Sequence, residues 1–273
     1  MRDRLHAART IAARDLLGLA ASPAPYVVLA LGMLATLVIL RGHLDVVARG
    51  QILLLADAFT LPYFITATIA MLFLAISSAT AVARERDQGT LETLFHGPVD
   101  APSYLAGKEL AQVGAFAAIG LAAALLLVAY GGLTGFRVTG VLALAVLLSI
   151  PAAGAVVALG LFLSTATGSV RAALALLVAV TALLLATRVA ADLLGGIVVA
   201  NNQSPLLFAR DLFLILDAIA ARLSPFSLFQ DGVDAASRGE YVGYLTAMGV
   251  AMLHVVALMW AAIRLLDARG LRG

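Results

Sequence analysis

Six stretches of this chain are long and apolar enough to cross a membrane as helices, and they constrain the fold more than any other feature. A bilayer core about 30 Å thick needs about 20 apolar residues in a helix, because backbone groups inside lipid must bond within their own segment. Hydrophobic residues make up 62% of the chain and charged residues 12%, too few to cover a soluble domain. The sequence therefore predicts an all-α membrane protein with six transmembrane helices.

The predicted spans follow one another through short polar or proline-containing segments. They cover residues 25–40, 63–83, 110–133, 141–163, 172–200 and 241–263. Few residues separate the third from the fourth, so these two form a hairpin. With both termini in the cytoplasm, eleven of the eighteen Lys and Arg residues lie inside, as the excess of positive charge in cytoplasmic loops requires. We expect one transmembrane domain over residues 1–273.

Two further segments have helical patterns without being spans. Residues 1–22 repeat apolar positions at helical spacing beside a basic face, which predicts a helix in the membrane interface; a frayed basic terminus is the alternative. Residues 192–240 include an apolar helical face around Phe208 and Leu212. Four charges between Arg210 and Arg222 make a span there costly, so we expect one or two helices in the outer leaflet, ended by the Ser224-Pro225 turn.

The polar stretch between the second and third spans, residues 84–108, has the most specific pattern. Gly89 allows a sharp turn, and Thr90 can cap a short helix whose apolar edge is formed by Leu91, Leu94 and Phe95. Gly97-Pro98 ends this helix. Without further information, a solvated connector would be the better explanation of the segment.

This stretch resembles the ABC-2 type transporter permeases, including those of the nitrous-oxide reductase maturation and multidrug types. The residues that carry the resemblance are Glu85-Arg86-Asp87-Gln88-Gly89-Thr90-Leu91-Glu92, then Leu94-Phe95, Pro98 and the Gly107-Lys108 pair. The resemblance implies that the short helix is a coupling helix, which docks on a separate ATP-hydrolysing subunit. Its docking face would be Thr90, Leu91, Leu94 and Phe95, and its rim Arg86, Asp87, Gln88 and Glu92.

The resemblance also implies an assembly. Two ABC ATPase subunits would bind ATP and Mg²⁺, and a second permease copy, identical or related, would complete a homodimer or heterodimer. No cofactor is expected in this chain itself. The location implied is the cytoplasmic membrane of a prokaryote, with the lipid bilayer around the spans.

A few polar and sulfur-containing residues within the spans are candidates for a substrate path. They are Arg188, Asp192, His254, Met248, Met252 and Met259. Each has an ordinary alternative: Arg188 and Asp192 as a snorkelling pair, the methionines as packing rather than copper(I) ligands, and His254 bonded to a neighbouring helix. No metal site and no catalytic residue is predicted, and Glu85, Asp87 and Glu92 are interpreted as a solvated helix end.

Three functions remain open at this stage. The first is ATP-driven export of a substrate, and the second is mechanical transmission to a periplasmic or extracellular protein, as some relatives perform. An intramembrane enzyme ranks lowest, because no span contains a paired His/Glu or Ser/His arrangement. The chain has no cysteine, which excludes disulfides and thiolate chemistry, and its charges are too dispersed for nucleic-acid binding.

Overall fold

The computed structural model describes residues 2–49, 57–91, 99–195 and 205–270. In these ranges the chain is helical and contains no strand. The helices are α1 (Arg2–Ala21), α2 (Ala24–Ala48), α3 (Thr60–Asp87), α4 (Ala101–Thr134), α5 (Gly140–Ala166), α6 (Val170–Gly195), α7 (Pro205–Leu223), α8 (Pro225–Ser237) and α9 (Tyr241–Gly270). Six of them, α2 to α6 and α9, are long and apolar enough to cross a membrane. The predicted all-α fold with six spans is confirmed.

Helices α3 and α5 form the centre of the bundle, since more than half of the residues in each span are buried. They approach closely at Gly160, where an added Cβ would lie 2.9 Å from the backbone nitrogen of Ala79. Small residues permit such contacts between membrane helices, and van der Waals packing then supplies much of the stabilisation. The central pair thus fixes the positions of the more peripheral helices.

The peripheral spans α2, α6 and α9 are much less buried, with 22%, 11% and 17% of their residues inside the chain. Large apolar side chains cover their outward faces, among them Leu31, Val38, Val178, Leu185, Leu253 and Val256. A soluble monomer rarely exposes so much apolar surface. These faces require lipid or another protein as their surroundings.

The connections between the helices agree with the turn residues in the sequence. Gly135 has a φ of 76° and ends α4, so that α4 and α5 pack side by side as the predicted hairpin. Between α7 and α8 the chain bends by 86° at Ser224-Pro225. The ring of Phe229 on α8 stacks on Phe64 of α3 at a centroid distance of 5.0 Å, which holds the bent pair against the bundle.

Several helices extend beyond their predicted spans, α2 and α4 the furthest. Helix α2 continues to Ala48, and α4 begins at Ala101, where the Asp100 side chain accepts a hydrogen bond from the Ser103 amide at 3.1 Å. The stretch 84–108 is consequently shared between the end of α3, a connection, and the first two turns of α4. This arrangement brings the polar residues of both helix ends together.

Candidate functional site at the end of the second span

The chain turns sharply after α3, at the start of the predicted coupling helix. Gly89 has a φ of 69°, a left-handed conformation that favours glycine. Thr90 and Leu91 then begin a new helical turn, and the Thr90 hydroxyl donates to the carbonyl of Glu85 at 3.0 Å. Glu92, Leu94 and Phe95 lie outside the described residues, so their predicted docking role stays a prediction.

The two described residues of this helix differ in exposure. Thr90 is exposed, whereas Leu91 is only 6% exposed and belongs to the hydrophobic core of the chain. Leu91 therefore anchors the segment to its own bundle. Gln88 and Thr90, like Asp87 before them, have side chains that are exposed.

A cluster of four charged side chains and one tyrosine lies directly beside this turn and joins three helices. Lys108 of α4 donates to Glu85 of α3 and contacts Asp15 of α1, with 2.9 Å between its Nζ and the Asp15 carboxylate. The Tyr104 hydroxyl donates to the other oxygen of Glu85 at 2.6 Å. Arg14 pairs with Asp15 at 2.9 Å. We call these five residues the ion cluster.

The centre of the ion cluster is largely removed from water, since the side chains of Lys108 and Glu85 are 9% and 16% exposed, whereas Arg14 at its edge is 56% exposed. The interpretation of Glu85 as part of a solvated helix end is wrong, because Tyr104 and Lys108 of α4 bind its carboxylate and Arg14 of α1 lies 3.9 Å from it. Desolvated charges of this kind are stable only when all partners are present, and removing one strands the others. The cluster thus links α1, α3 and α4, and losing any one of its charges would be costly.

Gly107 explains how α1 comes close enough to complete the cluster. A Cβ at this position would lie 2.8 Å from the Ile11 side chain and 2.9 Å from the carbonyl oxygen of Ala8. Only glycine allows α1 to lie so near α4. The Gly107-Lys108 pair therefore has two physical roles: Gly107 leaves room for α1, and Lys108 pairs with the Asp15 carboxylate of that helix.

A second ion pair attaches the N-terminal end of α1 to the start of α4. Arg4 lies 2.7 Å from Asp100, the residue that caps α4. Burial raises the pKa of Asp100, but the hydrogen bonds from Ser103 and the charge of Arg4 outweigh it and hold the pKa below its ordinary value. Because α1 is attached near both ends, a displacement of the α3–α4 connection would be transmitted along it.

Arg86 and Asp87, predicted as rim contacts of a partner, also bind within the chain. Arg86 donates to the carbonyl of Thr167 at 2.6 Å, and Asp87 accepts from the amide of Val170 at 3.2 Å. Val170 is the first residue of α6, whose leading amides lack acceptors within the helix. The end of α3 is therefore joined to the α5–α6 connection as well.

The candidates for a substrate path do not form one group in the structure. Arg188 lines a cavity, and it makes no ion pair within 4 Å with Asp192 or with any other described residue. His254 donates from Nδ1 to the carbonyl of Val250 on its own helix at 2.8 Å. Met248 and Met259 pack against the core, while Met252 is 53% exposed.

Asp15 and Arg14 belong to the site, yet sequence reasoning did not assign them a role there. A signal was present, because Ala8, Ile11 and Asp15 share one face of α1 at spacings of three and four residues. The first two contact Gly107, so the third reaches Lys108, the next residue of α4. The position of the acidic Asp15 on the apolar face of a basic helix thus indicated the contact of α1 with α4.

These features define an integral membrane protein with a bundle of six spans and a rigid polar joint at the end of the second span. The family model of the ABC-2 family transporter proteins matches residues 50–264, which is most of the chain. The chain belongs to this family and is a transmembrane transporter subunit. None of the curated proteins compared with the chain matches it.

Proposed function

We propose that the chain is the transmembrane subunit of an ATP-driven exporter in the cytoplasmic membrane of a prokaryote. Separate ATPase subunits would bind ATP and Mg²⁺ and dock at residues 86–95, and a second permease copy would pair with this one. The observation that carries the proposal is the ion cluster. It lies directly behind the segment that the family resemblance assigns to docking.

The ion cluster supports a route by which a movement of the docked ATPase subunits would reach the spans. A partner that pushes on the Gly89 turn would act on Glu85, one turn of helix away, and Glu85 is bonded to Lys108 and Tyr104. The contacts of Arg86 and Asp87 would carry the same displacement to the start of α6. Packed helices move between discrete arrangements, so a small shift here can reposition whole spans.

Export is favoured over mechanical transmission by a cavity of about 570 Å³ between the helices at the opposite end of the bundle. Its size lies within the range of small-molecule sites. A subunit that only transmitted force to an external protein would have no need of such a cavity. The candidate path residue Arg188 is part of its wall.

Site-specific cross-linking tests the docking. The chain has no cysteine, so Thr90→Cys introduces its only thiol, at an exposed position beside the Gly89 turn. A benzophenone maleimide attached to this cysteine should, on irradiation, insert into a C–H bond of a copurifying protein that contains a phosphate-binding GxxxxGK[ST] loop, with a yield that changes on adding ATP. Leu133→Cys, 87% exposed near the far end of α4, should give no such product.

Two results would contradict the proposal. One is transport or ATP hydrolysis by the purified chain with no second protein present. The other is a cross-link from Leu133→Cys, and none from Thr90→Cys, to the ATPase. Either result would place the energy input elsewhere.

A further inference from the structure

Two buried polar residues lie close to the ion cluster in the chain but do not belong to it. Glu109 and Gln112 of α4 are 8% and 4% exposed. Among the described residues, no hydrogen-bond partner is found for either carboxylate oxygen of Glu109 or for the amide oxygen of Gln112. Residues three positions apart lie on the same face of a helix. Three oxygen acceptors are thus removed from water on one helix face, which is costly unless something else binds them.

The carboxylate of Glu109 lies where three spans meet. An added Cβ at Gly154 of α5 would be 3.4 Å from Oε1 of Glu109 and 3.2 Å from Val255 of α9. The same Cβ would be 3.9 Å from Val113, one turn further along α4. Gly154 therefore leaves a small space that is bordered by one carboxylate and two apolar side chains.

The nearest basic side chains in the sequence have other partners. Lys108 precedes Glu109, but its ammonium group belongs to the ion cluster. His254 of α9 bonds through Nδ1 to a carbonyl of its own helix at 2.8 Å. Within the described ranges, Glu109 makes no ion pair within 4 Å. This part of the chain therefore supplies no counter-charge for it.

The chemistry of the three oxygen atoms indicates the class of ligand. Carboxylate and carboxamide oxygens suit hard cations rather than metals that prefer nitrogen or sulfur. A monovalent cation neutralises the single carboxylate, whereas a divalent one would leave a net positive charge in an apolar, low-dielectric bundle. No three acidic or histidine side chains in the described ranges converge on a metal position, which also argues against a divalent site.

We propose that Glu109 and Gln112 form a binding site for a monovalent inorganic cation, sodium or potassium, between α4, α5 and α9. The cation binds a carboxylate oxygen and the amide oxygen, and it offsets part of the cost of burying the carboxylate. Helix α4 is then held on two sides: by the ion cluster to α1 and α3, and by the cation site to α5 and α9. This inference does not depend on an ATPase partner or on the direction of transport.

Thermal unfolding of the purified protein at constant ionic strength tests the site. N-methylglucamine chloride, whose cation is too large for the space at Gly154, is replaced stepwise by sodium chloride or by potassium chloride, so that screening of surface charges is unchanged. At about ten times its dissociation constant, the bound cation should raise the wild-type midpoint by about 3–6 °C, because it binds the folded state. The salt that acts at the lower concentration identifies the cation.

Two variants and a control assign the response to the site. Glu109→Gln keeps the shape of the side chain without its charge, and its midpoint should not respond to either cation. Gln112→Leu keeps the carboxylate but lacks the amide oxygen, so half of the response should need about ten-fold more cation. Glu240→Gln removes an exposed carboxylate that pairs with Arg238 at 3.1 Å, and it should respond as the wild type does.

Modification with dicyclohexylcarbodiimide examines Glu109 directly. This apolar reagent reacts with protonated carboxyl groups inside membrane proteins, and its product on Glu109 is measured by peptide mass spectrometry. A bound cation should slow the reaction relative to the rate in N-methylglucamine chloride.

Three results would overturn the cation site. The first is an equal wild-type midpoint in all three salts, since Glu109 would then be buried with a proton instead. The second is a cation response that persists in Glu109→Gln, because the cation would then bind elsewhere. The third is a rate of modification of Glu109 that is the same in all three salts.

Discussion

The ammonium group of Lys108 lies 2.9 Å from the carboxylate of Asp15, so the N-terminal helix is bonded to the start of the third span. The same ammonium binds Glu85 at the end of the second span. This positive charge, together with that of Arg14, holds two carboxylates that would otherwise repel each other. An external push on this region would therefore move three helices together.

Replacing Lys108 by Met should be strongly destabilising. It leaves Asp15 and Glu85 as neighbouring, poorly solvated carboxylates, and breaking a buried ion pair in this way costs about 3–5 kcal/mol. We expect a large fall in the thermal unfolding midpoint of the purified protein. Because the residues act as a unit, the double variant Asp15→Asn, Lys108→Met should lose less than the sum of the single variants.

Arg210→Met is the control for this variant. It removes the exposed pair with Asp211, which is worth about 0–1 kcal/mol. If Lys108→Met and Arg210→Met shift the unfolding midpoint equally, the ion cluster is not a structural joint.

Gly107→Ala should separate α1 from α4. The added Cβ would lie 2.9 Å from the backbone oxygen of Ala8, which cannot move without the helix. We expect a loss of about 1–3 kcal/mol, as for other overpacked contacts, together with faster proteolysis of the N-terminal helix.

Gly114→Ala is the matched control on the same helix. A Cβ there would meet only the Leu16 side chain, at an ordinary 3.7 Å. This variant should be neutral or slightly stabilising, because Ala is a better helix former than Gly. Equal sensitivity to protease in the two variants would disprove the close contact at Gly107.

The spans could be predicted from sequence because lipid leaves the backbone few alternatives to a helix, and apolar length is then sufficient. The Gly89 turn was also readable, since its left-handed φ of 69° suits glycine. The start of α4 was missed although Asp100 and Pro102 are a helix-start signal. A search for apolar runs places the start of this span after Lys108 and Glu109, because these polar residues interrupt the run.

The partial burial of Glu85 in the ion cluster could not be predicted from local pattern. Glu85 stands among charged neighbours in the sequence, which is typical of a solvated surface. Its partial burial depends on Tyr104 and Lys108 of α4, and on Arg14 of α1, which reaches this place because Ala8 and Ile11 pack on Gly107. The spacing of apolar residues identifies the buried face of one helix, but it does not identify the helix that packs against that face.

Asp87→Ala should loosen the start of α6. Asp87 accepts a hydrogen bond from the Val170 amide at 3.2 Å, and losing such a cap costs about 1 kcal/mol. We expect faster hydrogen exchange of the first amides of α6. Asp87→Asn keeps an acceptor oxygen and should exchange at nearly the wild-type rate, whereas equally fast exchange in both variants would show that the charge, not the hydrogen bond, matters.

Glu109 follows Lys108 on α4 but is turned into the bundle rather than toward the ion cluster. Its carboxylate lies beside Gly154 of α5, where an added Cβ would be 3.4 Å from Oε1 and 3.2 Å from Val255 of α9. Neither carboxylate oxygen has a hydrogen-bond partner among the described residues. A buried polar group without a partner destabilises the fold, and an ionised one does so more.

Glu109→Gln should therefore raise the thermal unfolding midpoint, because the amide cannot ionise and is less costly to bury. Each kcal/mol gained corresponds to about 2–4 °C for a chain of comparable length. Glu240→Gln is the control, since Glu240 is exposed and pairs with Arg238 at 3.1 Å; its effect should stay within about 0.5 kcal/mol. A lower midpoint for Glu109→Gln would mean that the carboxylate stabilises the fold through a partner, because an unpaired acid cannot be better than its neutral isostere in an apolar bundle.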